Sequence, residues 1–591
     1  MRKILFLPLF VLSITISCIP GEDPVSSVAD EIDDEDIENT TSSTDDVITE
    51  NDGSHELESD YQWSESDIID ISISNDLSSI NNSGISISAN TLTITASGIY
   101  RLTGTMADGR VLIDTESEDP VIVIFNGIDI YSSENSPFSV MNAEKVIVNL
   151  ADGTTNTLAD SDSYVFDEDD DEPNATLYSK SDLSIFGDGK LVIDANYNDA
   201  ITSKDGLVIR SGTFDITTVD DGIRGKDYLI IHDAVVIIEA DGDGLKSDND
   251  EDSDRGYISI ENGTFDITAS GDGITAETDL LITGGDFTLV TGGGSSNSYS
   301  SSTSMKALKA TSQIIIDNGD FVISSADDAL HSNANLVLND GTFTISSGDD
   351  GIHADSTIGI NGGTITITKS YEGIESRIIV INDGYITSVS SDDGLNVAGG
   401  NDGSASNHPG GWGTVSSGDY YLIINGGFIS VNASGDGLDA NGSIIMTGGT
   451  VLVHGPTERN NGALDFDQSF EISGGLLIAA GSSGMLQAPG NSSEQYSAAI
   501  YYNSTISGGT LFNVQNADGE TLFTFKPAKN YQAVVVSSPD FEGDKTYTFN
   551  TGGSISGGTN DGGLYLDGDY TAGSKKKEVK FTSKVMAANG G

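Results

Sequence analysis

One formula recurs along this chain and limits what it can fold into: an acidic pair, a small residue and a branched apolar residue. It reads VDDGIRGKD at 219–227, DGDGLKSDND at 241–250, SADDALHSN at 325–333, SGDDGIHAD at 347–355, SDDGLNV at 391–397 and SGDGLDANG at 434–442. Aligned on the apolar residue, the series runs Ile201, Ile223, Leu245, Ile274, Leu308, Leu330, Ile352, Ile374, Leu395, Leu438, Leu464, Leu486, most often in steps of 22 residues. The longer steps contain loops, NDEDSDRG (249–256), GGGSSNSYSSSTS (292–304) and GGNDGSASNHPGGWGTVSSG (399–418). The rest of each unit alternates with period two around a glycine turn, as in LLITGGDFTLV and IIIDNGDFVIS, the pattern of two short strands. Such a unit is too short for a propeller blade, has no helical period and is not the nonapeptide of a calcium β-roll. The expectation is an all-β parallel β-helix, a solenoid with about 22 residues per rung, each rung burying its neighbour's apolar face.

The flanks divide the chain. Residues 1–18, MRKILFLPLFVLSITISC, join a basic start to an apolar run and small residues before the single cysteine, Cys18. They read as an export signal ending in a lipobox-like TISC, with Cys18 lipidated. Thr15 stands where Leu is usual. An exported lipoprotein on the cell surface or outer membrane is expected, tethered to the membrane by the lipid alone. Residues 19–60 are acidic and poor in large apolar residues, the composition of a disordered spacer. Residues 61–179 read as a β region leading into the solenoid, 180–510 as the solenoid, and 511–585 as a β cap over an edge that would otherwise aggregate. The net charge is -66, which excludes nucleic acid as a partner through a general basic face. A monomer is expected.

Stacking turns repeat positions into columns about 4.8 Å apart. Two places before the aligned apolar residue stand Asp199, Asp221, Asp243, Asp272, Lys306, Asp328, Asp350, Glu372, Asp393 and Asp436. Carboxylates about 5 Å apart repel by roughly 3 kcal/mol at an effective dielectric of about 20. Either they are solvated turn residues, since Asp-Gly is a good turn formula, or cations sit between them. Several Ca²⁺ ions are the expected cofactor, because Ca²⁺ takes 6–8 oxygen ligands in flexible geometry. The candidate ligands are Asp220, Asp221, Asp243, Asp248, Asp272, Asp327, Asp328, Asp349, Asp350, Glu372, Glu375, Asp392, Asp393, Asp436 and Asp439.

The residue just after the apolar one makes a second column, polar throughout and therefore expected to face outward. It holds Arg224, Lys246, Lys309, His331, His353, Glu375, Asn396 and Asp439 in turn. Its cations either pair with the acidic column or meet a ligand, and the two roles are compatible. A long groove lined by such groups suits a linear polysaccharide. Arg224, Lys246, Lys309, His331 and His353 are the expected contacts, with Tyr371 and Trp412 as aromatics for sugar stacking.

The ordered set SKDGLVI, DDGIRGKD, DGLKSDNDED, KALKA, DDALHSN, DDGIHAD, SYEGIE, DDGLNVAGG, GDGLDANGS and GSSGMLQAPG resembles the bacterial carbohydrate-binding β-helix domain family over roughly residues 65–550. That family is similar in fold to calcium-dependent polysaccharide lyases. The resemblance implies a right-handed parallel β-helix with bound Ca²⁺, displayed on the cell surface and binding pectic or cellulosic chains of the plant cell wall. A lyase acting on uronate polymers is the alternative, with Lys246 or Arg224 where its base would sit. Lys246, however, lies between carboxylates that raise its pKa, which favours binding over catalysis. A purely structural surface solenoid is a third reading. Paired acids leave an inverting hydrolase open. No Ser-His-Asp set and no zinc spacing stands in the chain.

Overall fold

The computed structural model describes residues 39–166, 171–297, 303–398 and 420–590. Among them the chain is all-β, with a single α-helix, Thr44–Val47. Forty-six strands join one sheet that is parallel except near its two ends. Through most of the chain a strand pairs with the one three further along, so the strands fall into three stacks. One stack runs Asp199–Ser203, Ile223–Gly225, Leu245–Ser247, Ile274–Ala276, Leu308–Ala310, Leu330–Ser332 and onward to Leu464–Phe466. Its register joins Ile201 to Ile223, Ile223 to Leu245, and so on to Leu438 with Leu464. The aligned apolar residues are thus direct neighbours, and their side chains fill the core.

Period-two alternation sends every second side chain of the longest strands inward. Phe265, Phe287, Phe321 and Phe343 stack with centroids 4.7, 4.6 and 4.7 Å apart, which is the strand spacing carried into the side chains. At one corner Asn361 donates to Asn339 at 2.8 Å and Asn382 to Asn361 at 2.7 Å. The small residue of the repeat formula has a packing cause. A Cβ on Gly222 would lie 2.5 Å from the carbonyl oxygen of Gly244, and one on Gly351 2.6 Å from that of Gly373. Ala307, Ala329 and Ala463 hold the same place elsewhere, so close approach of the next repeat, not a left-handed turn, selects small residues.

The spacer expected over 19–60 is corrected over its second part. Residues from Thr40 to Asp60 pack along the outside of the strand stack containing Tyr228–Ile231 and Gln313–Ile316. Val47 sits on Leu281, Ile315 and Val337. Thr44 donates to Asp317, Asp52 pairs with Arg255 at 3.2 Å, Glu56 meets His232 at 2.7 Å, and Asp60 meets buried Lys145 at 2.6 Å. Composition counts the acids of this segment, but it cannot count the scarce cations the fold places beneath them. Residues 19–38 lie outside the described part, as do Cys18 and Trp412.

At the other end Tyr531–Ser537 pairs antiparallel with Leu476–Gly481 and so covers the last parallel edge. A five-stranded antiparallel sheet, including the basic strand Lys575–Lys580, follows. No helix among the described residues is long and apolar enough to cross a membrane.

Candidate functional site

The acidic column is a hydrogen-bonded ladder. Asp243 N–H donates to Asp221 Oδ1 at 2.9 Å, Asp272 to Asp243 at 2.8 Å, and Lys306 to Asp272 at 2.7 Å. Further on, Asp350 N–H donates to Asp328 Oδ1 at 2.9 Å and Glu372 to Asp350 at 3.0 Å. One oxygen of each carboxylate therefore satisfies a backbone donor of the next repeat, as buried N–H groups require. The second oxygen is left for chemistry, and its partner changes along the molecule.

In the first repeats that partner is a cation. Lys246 Nζ lies 3.0 Å from Asp221 Oδ2 and 2.8 Å from Asp243 Oδ2. Lys309 reaches Asp272 at 3.1 Å, and Lys306 reaches Asp327 at 2.8 Å and Asp328 at 3.1 Å. Arg224 forks onto Asp248 and lies 3.7 Å from Asp199. Burial alone would lower the Lys246 and Lys306 pKa values, but the adjoining aspartates outweigh it and raise both. Burial pushes the Asp328 carboxyl up, and Lys306 together with His331 and His353 outweighs that, holding it well below the usual range. His331 Nδ1 is 2.8 Å from the same Asp328, and its Nε2 is 3.0 Å from Asn333.

After Asp350 no lysine or arginine among the described residues is paired with a ladder carboxylate. Burial and then Asp439 push Asp393 up to about 8; burial and then Asp436 take Asp439 to about 7. Burial, with Asp465 nearby, brings Asp436 to about 6. Burial and Asp350 raise Glu372 to about 10. Asp393, Asp436 and Asp439 converge with potential ligand atoms within 4.8 Å of one another, as do the groups Asp199, Asp220 and Asp221; Asp327, Asp328 and Asp349; and Asp350, His353 and Glu375.

Several expected sites change meaning here. Asp243, Asp248 and Asp272 are held by Lys246, Arg224 and Lys309. His353, expected to face a ligand, is corrected: it is 1% exposed, enclosed by Asp350, Asp355 and Glu375. The same column stays buried in the next two repeats, at Glu375 and Asn396. Tyr371 lies beside Asp392, which together with burial raises the pKa of its hydroxyl.

The residue positions overlooked in the sequence lie one unit before Ile201. Leu177 is the register partner of Ile201, and Ser179 of Ser203, so Lys180 precedes Lys204 and Lys226 in one row. The parallel between ATLYSK and DAITSK is the signal. Lys180, Lys204, Arg224 and Lys226 line an open cleft of about 640 Å³ with Glu172, Asp248, Asp250 and Glu277. Glu172 bridges Lys180 at 2.9 Å and Lys204 at 3.1 Å. Lys226 carries no ion pair among the described residues.

Residues 88–351 match the family described as "Carbohydrate-binding domain-containing protein". A protein of that description from Acetivibrio thermocellus is 34% identical over 211 residues, which span 36% of this chain and 74% of that protein. The solved structure titled "polysaccharide lyase-like protein from C. thermocellum", a gadolinium derivative, is 30% identical and covers 42% of this chain and 96% of its own, with a TM-score of 0.38. With that share of the Acetivibrio relative covered at that identity, the chain belongs to the carbohydrate-binding domain-containing protein family.

Proposed function

We propose that this protein is a surface-displayed, calcium-assisted binder of plant cell-wall polysaccharide, pectic (polygalacturonate) chains foremost and cellulosic chains as the runner-up, built on a right-handed parallel β-helix. The observation that carries the acidic ligand is the cation row Lys180, Lys204, Lys226 with Arg224 in an open cleft of a chain with net charge -66. Cations placed at strand spacing suit a linear polymer that repeats a carboxylate, and an arginine fork suits each carboxylate bidentately. Calcium fits the Asp393, Asp436 and Asp439 cluster, whose donors are all carboxylate oxygens and which no lysine, arginine or histidine neutralises among the described residues. Asp199, Asp220 and Asp221 form a second all-oxygen group, already faced in part by Arg224 and Lys246.

A lyase is the weaker reading. Its base must give up a proton readily, and Lys246 is held charged by Asp243 and Asp221. The test is incubation with polygalacturonate and Ca²⁺, reading retention and ultraviolet absorbance together. Retention that falls severalfold in Lys204→Ala plus Lys226→Ala, without rising absorbance, supports the binder. Absorbance that rises and is lost in Lys246→Ala establishes the lyase instead, and no retention on any glycan leaves a structural solenoid. Export and tethering through a lipidated Cys18 belong to the same proposal. Cys18→Ser then releases the protein from membranes or leaves an unprocessed precursor.

A further inference from the structure

Of the convergent ligand groups among the described residues, Asp350, His353 and Glu375 alone include a nitrogen donor. All three are buried: Asp350 0%, His353 1% and Glu375 7% exposed. His353 Nδ1 lies 3.3 Å from Asp350 Oδ2 and 3.2 Å from Glu375 Oε2. Glu375 Oε2 takes no hydrogen bond although it is buried and faces this imidazole. Beside it, buried Asn396 leaves Oδ1 without a partner while its Nδ2 is tied to Glu372 and Glu375. A buried polar atom without a hydrogen bond costs free energy; Asn396 Oδ1 has none, and Glu375 Oε2 has only the imidazole 3.2 Å away, which leaves room at the cluster for a ligand.

The chemistry of that ligand follows from the donors. Donor atoms around an ion with bonds of about 2.0–2.1 Å in tetrahedral geometry stand about 3.3 Å apart, close to the separations of His353 Nδ1 from the Asp350 and Glu375 oxygens. Calcium prefers oxygen throughout, whereas imidazole with carboxylates suits d-block divalent ions. The other ring nitrogen, Nε2, lies 3.2 Å from Asp355 Oδ1. A carboxylate in that place holds the ring proton and turns the opposite nitrogen toward a metal. One repeat earlier the arrangement is filled differently: His331 meets Asp328, and the Lys306 ammonium reaches that same carboxylate. Among the described residues no lysine is paired with Asp350.

We propose that Asp350, His353 and Glu375 bind one d-block divalent cation, Zn²⁺ foremost, with Asn396 Oδ1 as the candidate fourth donor. The ion would join three successive repeats. This site rests neither on the carbohydrate reading nor on the calcium cluster at Asp393. The test uses the full chain, stripped with chelator, titrated with Zn²⁺ by calorimetry and with Co²⁺ by visible absorption, each in excess Ca²⁺. The expected result is one tight equivalent of Zn²⁺ that calcium does not displace, and d–d bands on adding Co²⁺. His353→Gln should abolish both. Asp355→Asn, which changes a half-exposed side chain and should leave folding intact, should weaken Zn²⁺ binding about 10–100-fold. Absence of saturable Zn²⁺ uptake, displacement by Ca²⁺, or uptake unchanged in Asp355→Asn would overturn the proposal, leaving His353 as an imidazolium counter-ion.

Discussion

The acidic ladder is the same structure in its early and late repeats, yet its charge is handled in opposite ways. Between Asp221 and Asp328 each carboxylate oxygen not used by the backbone meets Lys246, Lys306, Lys309 or His331. From Asp350 to Asp439 the neighbours are other acids, His353 and Asn396. Like charges gathered without counter-ions shift their pKa values upward, whereas paired ones shift downward. A repeat that conserves its geometry can thus carry a seam closed by lysines in one region and, among the described residues, a seam of acids without lysine partners in another, and the residues in both columns, Lys306 in the first and Lys246 and Lys309 in the second, decide which.

The largest effect expected separates the two regions directly. Lys306→Met leaves buried Asp327 and Asp328 without their ammonium, and breaking such a pair costs about 3–5 kcal/mol. Urea unfolding measures it. A loss under about 1 kcal/mol would mean that the early seam is not held by its lysine and that the contrast is false.

The late seam should respond in the opposite sense. Asp393→Asn with Asp439→Asn removes like charges from a half-buried cluster. In chelator it should therefore stabilise the chain by about 1 kcal/mol, the Coulomb value reduced for solvent screening. The same change should abolish the rise in Tm that Ca²⁺ gives the wild type, because binding only the folded state stabilises it. Equal calcium responses in variant and wild type would move the ion elsewhere.

The pH dependence sharpens this further. Asp393, Asp436 and Asp439 have folded pKa values of about 8, 6 and 7, above the unfolded value of about 3.9. Their contribution to stability is full below about pH 4 and is lost as pH rises through about 6 to 8. Asp328, held low by Lys306, contributes above its unfolded value and loses that as pH falls. In chelator, the wild type should therefore lose Tm between pH 5 and 8 relative to the Asp393→Asn, Asp439→Asn variant. With Ca²⁺ the trend should reverse, since metal needs the deprotonated ligands. A difference independent of pH would show that these carboxyls titrate normally.

Smallest in stability is Lys226→Ala. With no ion pair to lose, it should lie within about 0.5 kcal/mol of wild type, while retention on polygalacturonate falls. A larger loss of stability would place Lys226 in the structural seam with Lys246.

Much of this is legible in the sequence. The Ile201 to Leu464 alignment coincides with the register of the first strand stack, because a period-two pattern repeated at constant length can bury its apolar face only by stacking on itself. The columns followed, and Lys246 was already flanked by acids. What stayed hidden was direction and partnership. His353 occupies the same repeat position as Lys246, yet it is enclosed by Asp350 and Asp355 of its own repeat and Glu375 of the next. The segment from Thr40 to Asp60 looked unpartnered because its partners, such as Lys145 and Asp317, lie far along the chain.

The sequence by itself determined the strands, their repeat length, the small residue at each close approach and the acidic column, since each depends on local pattern copied from unit to unit. The tertiary structure alone decided what each carboxylate faces. One oxygen is spent on the next repeat's N–H, and the other meets whatever side chain the stacking brings within about 3 Å, the reach of a hydrogen bond. Some of these pairs are three residues apart, as Lys246 with Asp243 and His353 with Asp350, but Lys246 with Asp221, Lys306 with Asp328 and His353 with Glu375 are set between repeats, where spacing along the chain carries no information. The His353 cluster therefore has no local metal motif, although its donors converge in space.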